Sequence, residues 1–256
     1  MRKVFLEEEK RPVFPEGIRR MVQGSALYDS SCGDTARVYY ADKGLYVKEA
    51  AGGSLCHEAE MGRIFHAHHL GPEVVLYLPG EKDYLVTREV EGQDLCHLLD
   101  NPLLLCRQMG EKLRLLHSIP GDGMPRSPSL SFYRQGVQEN KETFEKYVML
   151  ERFPVACREE ALSLARAYLP GLQQDVLIHG DACLPNMMMK NGKIVSFIDF
   201  AVSGAGDRHI DLFWALWSLQ FNLKTEKYAD DFLDAYGRAD VDEEKIRAVS
   251  ALEALG

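Results

Sequence analysis

The chain reads as an α+β protein of two lobes, a small β-rich N-terminal lobe and a larger, mainly helical C-terminal one. Three observations predict this. β-prone runs separated by turn signals fill the first third. Helical periodicity takes over after Glu91-Gly92. Within the helical part, one group of short apolar runs carries polar residues at its ends. The expected boundaries are 1–91 for a nucleotide-binding lobe and 92–256 for a catalytic and substrate-binding lobe.

In the first lobe, Arg37-Val38-Tyr39-Tyr40 and Leu45-Tyr46-Val47-Lys48 flank Ala41-Asp42-Lys43-Gly44, a hairpin signal. Gly52-Gly53 breaks the chain, and Ser54 is a candidate cap for a helix running to about His69, with Met61, Ile64, Phe65 and His68 on one face. Gly71-Pro72 stops that helix. Val74 to Leu78 and Tyr84 to Arg88 form a second strand pair. In the second lobe, Leu95 to His117 places Leu99, Leu103, Cys106, Met109, Leu113 and Leu116 at three- and four-residue steps. Further helices are expected at 132–149, 157–168, 207–221, 226–236 and 242–255.

The 256 residues suffice for two modest lobes, and a hydrophobic content of 46% supports ordinary cores. Thirty Lys and Arg against 39 Asp and Glu give a net charge of −9. That argues against nucleic acid or an anionic membrane as partner and accommodates a cationic small molecule. Six scattered cysteines without a C-x-x-C pair, and a charged N-terminus without an apolar core, predict free thiols in a cytoplasmic protein. His66, His68 and His69 sit at helix spacings that do not face one another, so they predict no zinc site. Trp214, Trp217 and Phe221 recur at helical spacing and read as a core stripe rather than an aromatic wall for a cation.

The most informative stretch is His179-Gly180-Asp181-Ala182-Cys183-Leu184-Pro185-Asn186, followed by Ile198-Asp199-Phe200. Val176-Leu177-Ile178, Met187-Met188-Met189 and Ile194 to Ile198 read as short buried strands around it. Two carboxylates and an amide at the ends of buried strands are costly without a partner. A divalent metal carrying a nucleotide phosphate fits the spacing, as in kinases.

On these residues the chain resembles the aminoglycoside phosphotransferases, small-molecule kinases with a protein-kinase-like fold, and within them the 3′-phosphotransferase branch. Gly206 to Leu212, Leu113 to Ser118 and Phe232 to Gly237 are similar to further segments of that family. The resemblance implies ATP, or GTP, and Mg²⁺ as cofactors, and a small hydroxyl-bearing acceptor. It implies Asp181 as the catalytic residue, Asn186 and Asp199 as metal ligands, and Lys48 on the phosphates. Helix geometry leaves Glu58 and Glu60 open as the partner of Lys48, and the family register favours Glu60. The turn Ser30 to Thr35, with Ser31, would cover the phosphates. The segment from Thr87 through Glu89 and Val90 to Glu91 would present its backbone to the base, in a cleft between the lobes. Asp207 and Asp211 would brace the catalytic loop, and His179 would pack it.

The pattern fades where family members hold their polycationic substrates. Gln220-Phe221-Asn222 stands where adjacent acids are common, the tail keeps Glu253 but has Ala254 and Gly256, and Val202 replaces a frequent Arg. Glu253, Phe221, Asn222 and Val202 are therefore the candidate acceptor contacts. The expected function is an ATP- and Mg²⁺-dependent O-kinase of aminoglycoside phosphotransferase type. The alternatives are a metabolic kinase of choline, amino-sugar, methylthio-sugar or homoserine type, and a pseudokinase serving as an interaction module. A monomer or homodimer is expected.

Overall fold

The computed structural model describes residues 3–33, 35–139 and 143–256. It separates into two compact units. The first comprises Met1–Glu91 and also Ser196–Ala201, a segment that the sequence placed in the second lobe; the second comprises Gly92–Val195 and Val202–Gly256.

The first unit contains β1 (Val4–Phe5), α1 (Glu16–Val22), β2 (Leu27–Asp29), β3 (Ala36–Ala41), β4 (Leu45–Ala51), α2 (Cys56–Ala67), β5 (Val74–Leu78) and β6 (Lys82–Arg88). Its six strands form one antiparallel sheet in the order β1-β2-β3-β4-β6-β5. Strand side chains alternate between faces. Leu45 and Val47 of β4 and Tyr84 and Val86 of β6 pack with Ile18 and Val22 of α1. Ala50 and Leu85 face the other way, onto Leu55 and Ala59 at the start of α2. By the same alternation Lys48 belongs to the α2 face. Sequence reasoning missed α1, whose seven residues carry only Ile18 and Val22 as buried contacts.

The expected cap of α2 is corrected. Ser54 Oγ bonds back to Ala51 O at 2.6 Å, and the buried Asp83 of β6 receives the Leu55 N–H at 3.1 Å. A carboxylate from a neighbouring strand thus does what a local hydroxyl was expected to do.

The second unit contains β7 (Gln93–Asp94), α3 (Pro102–Leu116), α4 (Ser129–Glu139), α5 (Arg158–Tyr168), β8 (Val176–Ile178), β9 (Met187–Lys190), the first three residues of β10 (Lys193–Phe197), β11 (Gly204–Gly206), α6 (Arg208–Leu223), α7 (Ala229–Tyr236) and α8 (Glu243–Ala254). The helix expected from Leu95 is interrupted. Leu95–His97 is a short turn capped by Asp94, and α3 restarts at Pro102 behind the Asn101 cap. Proline fits the first helical turn, where its missing N–H costs nothing. Of the range 132–149 expected to be helical, the part through Glu139 lies in α4, 140–142 lie outside the described residues, and Lys146–Val148 is a single 3-10 turn. β8 pairs with β11, and β7 with β9. Asn191 and Gly192 turn β9 into β10 with φ of 53° and 76°, the left-handed values such a hairpin requires. Among the described residues, no helix is long and apolar enough to cross a membrane.

Candidate active site

In the first unit three charged groups meet. Lys48 Nζ lies 2.9 and 2.8 Å from the two carboxylate oxygens of Glu58 and 3.1 Å from Asp199 Oδ1. The expected partner Glu60 is corrected to Glu58. Glu58, Met61, Gly62 and Phe65 form the buried stripe of α2, whereas Glu60 is exposed. Burial opposes the charge on Lys48, but Asp199 and Glu58 outweigh it and hold the ammonium above its ordinary pKa. Burial raises Glu58, against the pull of Lys48.

Asp199 is held at φ +66°, with its side chain half exposed, by what flanks it. Phe197 N donates to Leu70 O at 2.7 Å, and the Phe200 ring packs 4.4 Å from Phe65. Gly71 lies so close to that ring that a Cβ there would come within 2.8 Å of it. One helix therefore supplies both the partner of Lys48 and the seat of Phe200.

The predicted phosphate turn is only partly described, since Asp34 lies outside the described residues. Ser31 Oγ accepts from Val38 N at 2.9 Å, and Ser31 N donates to Asp29 Oδ1 at 2.9 Å. After β6, Glu89 N donates to Gly44 O at 2.9 Å. The Glu89 carboxylate accepts from Tyr40 and pairs with Lys3. Thr87 sits opposite Tyr46 in the sheet, and Val90 follows, partly buried.

In the second unit the loop after β8 carries Asp181. The N–H groups of His179 and Gly180 donate to Asp211 of α6 at 2.8 and 2.6 Å. With its proton on Nε2, His117 donates to the same carboxylate at 3.0 Å and accepts at Nδ1 from Tyr236 at 2.8 Å. All three side chains are buried. The three segments that carried the family resemblance outside the catalytic loop thus converge beneath it. Asp207 caps α6 and accepts from His209 and Gln173. Burial would raise its pKa, but the bonds from His209 and Gln173 outweigh burial and hold it low. Ser203 Oγ donates to His179 O at 2.7 Å, and Asn186 Nδ2 donates to both the backbone O and the carboxylate of Asp181, at 3.0 and 2.8 Å. Both Asn186 bonds use Nδ2, so the oxygen end of the amide is not spent on them.

Asp181 opens onto a cavity of about 750 Å³. Glu253, Phe221, Asn222 and Val202, the candidate acceptor contacts, all line it. So do Trp214 and Trp217, which corrects their reading as a core stripe. On α6 the residues Phe213, Leu216 and Leu219 face the core, while Trp214, Trp217 and Phe221 form a second stripe along the cavity. A helix apolar all round signals that both of its faces are in use, and that signal was present in the sequence. Tyr133 gave none: its hydroxyl and Trp214 Nε1, the latter at 3.0 Å, both donate to Glu253 Oε1.

Burial raises the Glu253 carboxyl to about 7, against these two bonds. The nearby Asp181 charge pushes it the same way. Between its ordinary value and about 7 the folded chain binds more protons than the unfolded one, so this group costs stability increasingly as pH rises through that window. Glu253→Gln keeps an oxygen for both donors and removes the charge. In urea denaturation at pH 8 it should be more stable than the parent by about 3 kcal/mol, with the difference closing near pH 4. A difference unchanged between those pH values would refute a buried, proton-linked carboxyl.

One unit carries a lysine bridged to two carboxylates, and the other carries a carboxylate held at the mouth of a cavity by a braced loop; each is a part found in phosphotransferases of kinase-like fold. The chain belongs to the phosphotransferase enzyme family APH, whose model matches residues 34–249. A probable aminoglycoside 3′-phosphotransferase of Lactococcus lactis is 35% identical over 249 residues, covering 95% of both chains. Among solved structures, an aminoglycoside 3′-phosphotransferase of type VIII superposes with a TM-score of 0.73 at 24% identity, covering 94% of this chain and 97% of that one. The aminoglycoside phosphotransferase APH(3″)-Id of Streptomyces rimosus, solved with ADP and streptomycin, superposes with a TM-score of 0.66 at 22% identity over 86% and 90% of the two chains.

Proposed function

We propose that the chain moves the γ-phosphoryl group of ATP to a hydroxyl of a small molecule. The observation that carries this is the Asp181 carboxylate, fixed by Asn186 Nδ2 at 2.8 Å and open to a cavity of ligand size. The acceptor oxygen forms a bond to the γ-phosphorus, the bridging P–O bond breaks, ADP leaves, and the hydroxyl proton passes to Asp181. Lys48, kept charged and aimed by Glu58, would hold the nucleotide phosphates. Ser31 and the Thr87–Val90 segment, with Glu89, would contact the nucleotide through their backbone. ADP in the Streptomyces relative supports an adenine nucleotide.

Asn186 and Asp199 are the proposed Mg²⁺ ligands. Oxygen donors of this kind suit that ion, and Asp199 is half exposed with one oxygen shared with Lys48. The metal would neutralise charge on the transferring group. A cytoplasmic monomer or homodimer fits this reading.

Transfer of label from γ-labelled ATP to a panel of aminoglycosides and amino-alcohols tests it. Transfer to no hydroxyl, with nucleotide still bound, would favour the pseudokinase alternative. The Lys48 pairing adds a sharper outcome. Glu58→Gln should lower kcat/KM for ATP roughly tenfold or more, the worth of a hydrogen-bonded charge. Glu60→Gln should stay within about twofold of the parent. Equal losses in the two variants would remove Glu58 from the role.

A further inference from the structure

The wall of the Asp181 cavity is uneven in charge. Among the described residues lining it, Asp181 and Glu253 are the only carboxylates, and none is Lys or Arg. Five aromatic residues, Phe132, Tyr133, Trp214, Trp217 and Phe221, contribute to the rest of the wall. Trp217 and Phe221 stack with centroids 5.1 Å apart and planes 13° from parallel. Trp214 meets Trp217 edge-on at 5.5 Å. Trp217 Nε1 donates to Tyr147 O at 2.9 Å, which fixes the indole. Phe221 remains 55% exposed in spite of this stacking. Beside it, Lys224 Nζ stands 4.1 Å from the centroid of the Phe221 ring.

Each feature makes a demand on the acceptor. Asp181 is committed to the hydroxyl, so Glu253 is the carboxylate left to neutralise an ammonium. Its Oε1 already accepts from Tyr133 and Trp214, which aims the group and leaves Oε2 to a ligand. A second or third ammonium would find only the modest attraction of indole and phenyl faces and no counter-charge, and burying an ion without one is costly. It would also meet the Lys224 charge next to Phe221. An apolar flank, by contrast, gains from covering Trp217 and Phe221.

We propose that the acceptor is a monocationic alcohol: one ammonium for Glu253, one hydroxyl for Asp181, and a hydrocarbon or aromatic flank laid on Trp217 and Phe221. A polycationic aminoglycoside is the poorer ligand. The place of the hydroxyl rests on the phosphotransferase reading; the ammonium and the flank rest on the cavity itself.

The chain has two tryptophans and both line this cavity, so intrinsic fluorescence reports its occupancy directly, without turnover. The probes are 4-phenylbutylamine, its neutral counterpart 4-phenyl-1-butanol, and kanamycin, each titrated into the full chain. The amine should change the emission and bind roughly tenfold or more tightly than either of the others, the value of one charge-assisted bond. Glu253→Gln should abolish the advantage of the amine over the alcohol. Trp217→Ala should weaken both phenyl probes roughly tenfold, and Trp217→Phe, which keeps a ring, should restore most of the loss. Kanamycin binding as tightly as the amine, an amine unaffected by Glu253→Gln, or emission unmoved by every probe would each overturn the proposal. Failure of the phosphotransferase reading looks different. It would appear as absent label transfer from ATP while the fluorescence preferences persist. An active enzyme that preferred kanamycin would sink the acceptor class alone.

Discussion

Asp181→Asn should leave nucleotide binding close to the parent value and slow phosphoryl transfer roughly 10²- to 10⁴-fold, the range of a lost general base. The substitution changes little in size, and the loop that carries it is anchored elsewhere, by the bonds of His179 and Gly180 to Asp211 and of Ser203 to His179. The loss should therefore be chemical rather than structural. Two effects combine. The amide cannot take the acceptor proton, and it cannot satisfy Asn186 Nδ2 with its oxygen and still present a second acceptor to the hydroxyl. In a loose transition state the proton moves late, so orientation of the acceptor carries part of the loss. Single-turnover rates at saturating ATP, alongside ADP affinity by calorimetry, separate the two. A kcat within threefold of the parent would take Asp181 out of the reaction. An equal loss of ADP affinity would make its role structural.

How much of this was visible beforehand depended on the distance over which each residue finds its partner. Of the strands of the first unit, β3 to β6 followed from local alternation and turns while the short β1 and β2 did not, and most helices of the second unit followed from periodicity. The catalytic loop was legible because Asp181, Asn186 and their flanking strands lie within one short stretch. The brace beneath it was legible only as three separate segments. Nothing in the chain order says that His117, Tyr236 and Asp211 share two hydrogen bonds, although each ended or began a helix at a recognisable place. Helix geometry left Glu58 and Glu60 open, and the family register pointed to Glu60. The apolar face through Met61, Ile64, Phe65 and His68 leaves both acids at its edges, Glu58 below Met61 and Glu60 below Ile64. The buried stripe instead runs through Met61, Gly62 and Phe65, because the small Gly62 lets Val74 and Phe200 close in, and that rotates Glu58 to the sheet. A glycine carries no hydrophobic weight in a periodicity count, so periodicity alone did not separate the two acids. The cap of α2 by Asp83 and the tie of Tyr133 to Glu253 link residues 28 and 120 positions apart and leave no local trace.

Gly180→Ala should be strongly damaging in the second unit, to stability and activity together. Gly180 sits at φ +85°, where a side chain costs about 1–2 kcal/mol from backbone strain alone. A Cβ there would stand 2.3 Å from the backbone oxygen of Val202 and 2.9 Å from its carbonyl carbon. Those atoms cannot swing aside as a side chain would. Val202 O is the acceptor for Ser127 Oγ at 2.7 Å, so moving it breaks a further bond. Relief by shifting Gly180 instead would pull its N–H from Asp211, leaving a buried carboxylate short of one of its donors. Strain and overpacking together should cost roughly 3 kcal/mol or more, which for a unit of this size lowers Tm by about 6–12 °C. Activity should fall even where the chain stays folded, because the same shift displaces Asp181 at the next position. Thermal unfolding and label transfer, measured on the same preparation, check both halves. A variant with parental Tm and parental turnover would show that the loop tolerates a different path and that its close approach to Val202 is not needed to set Asp181.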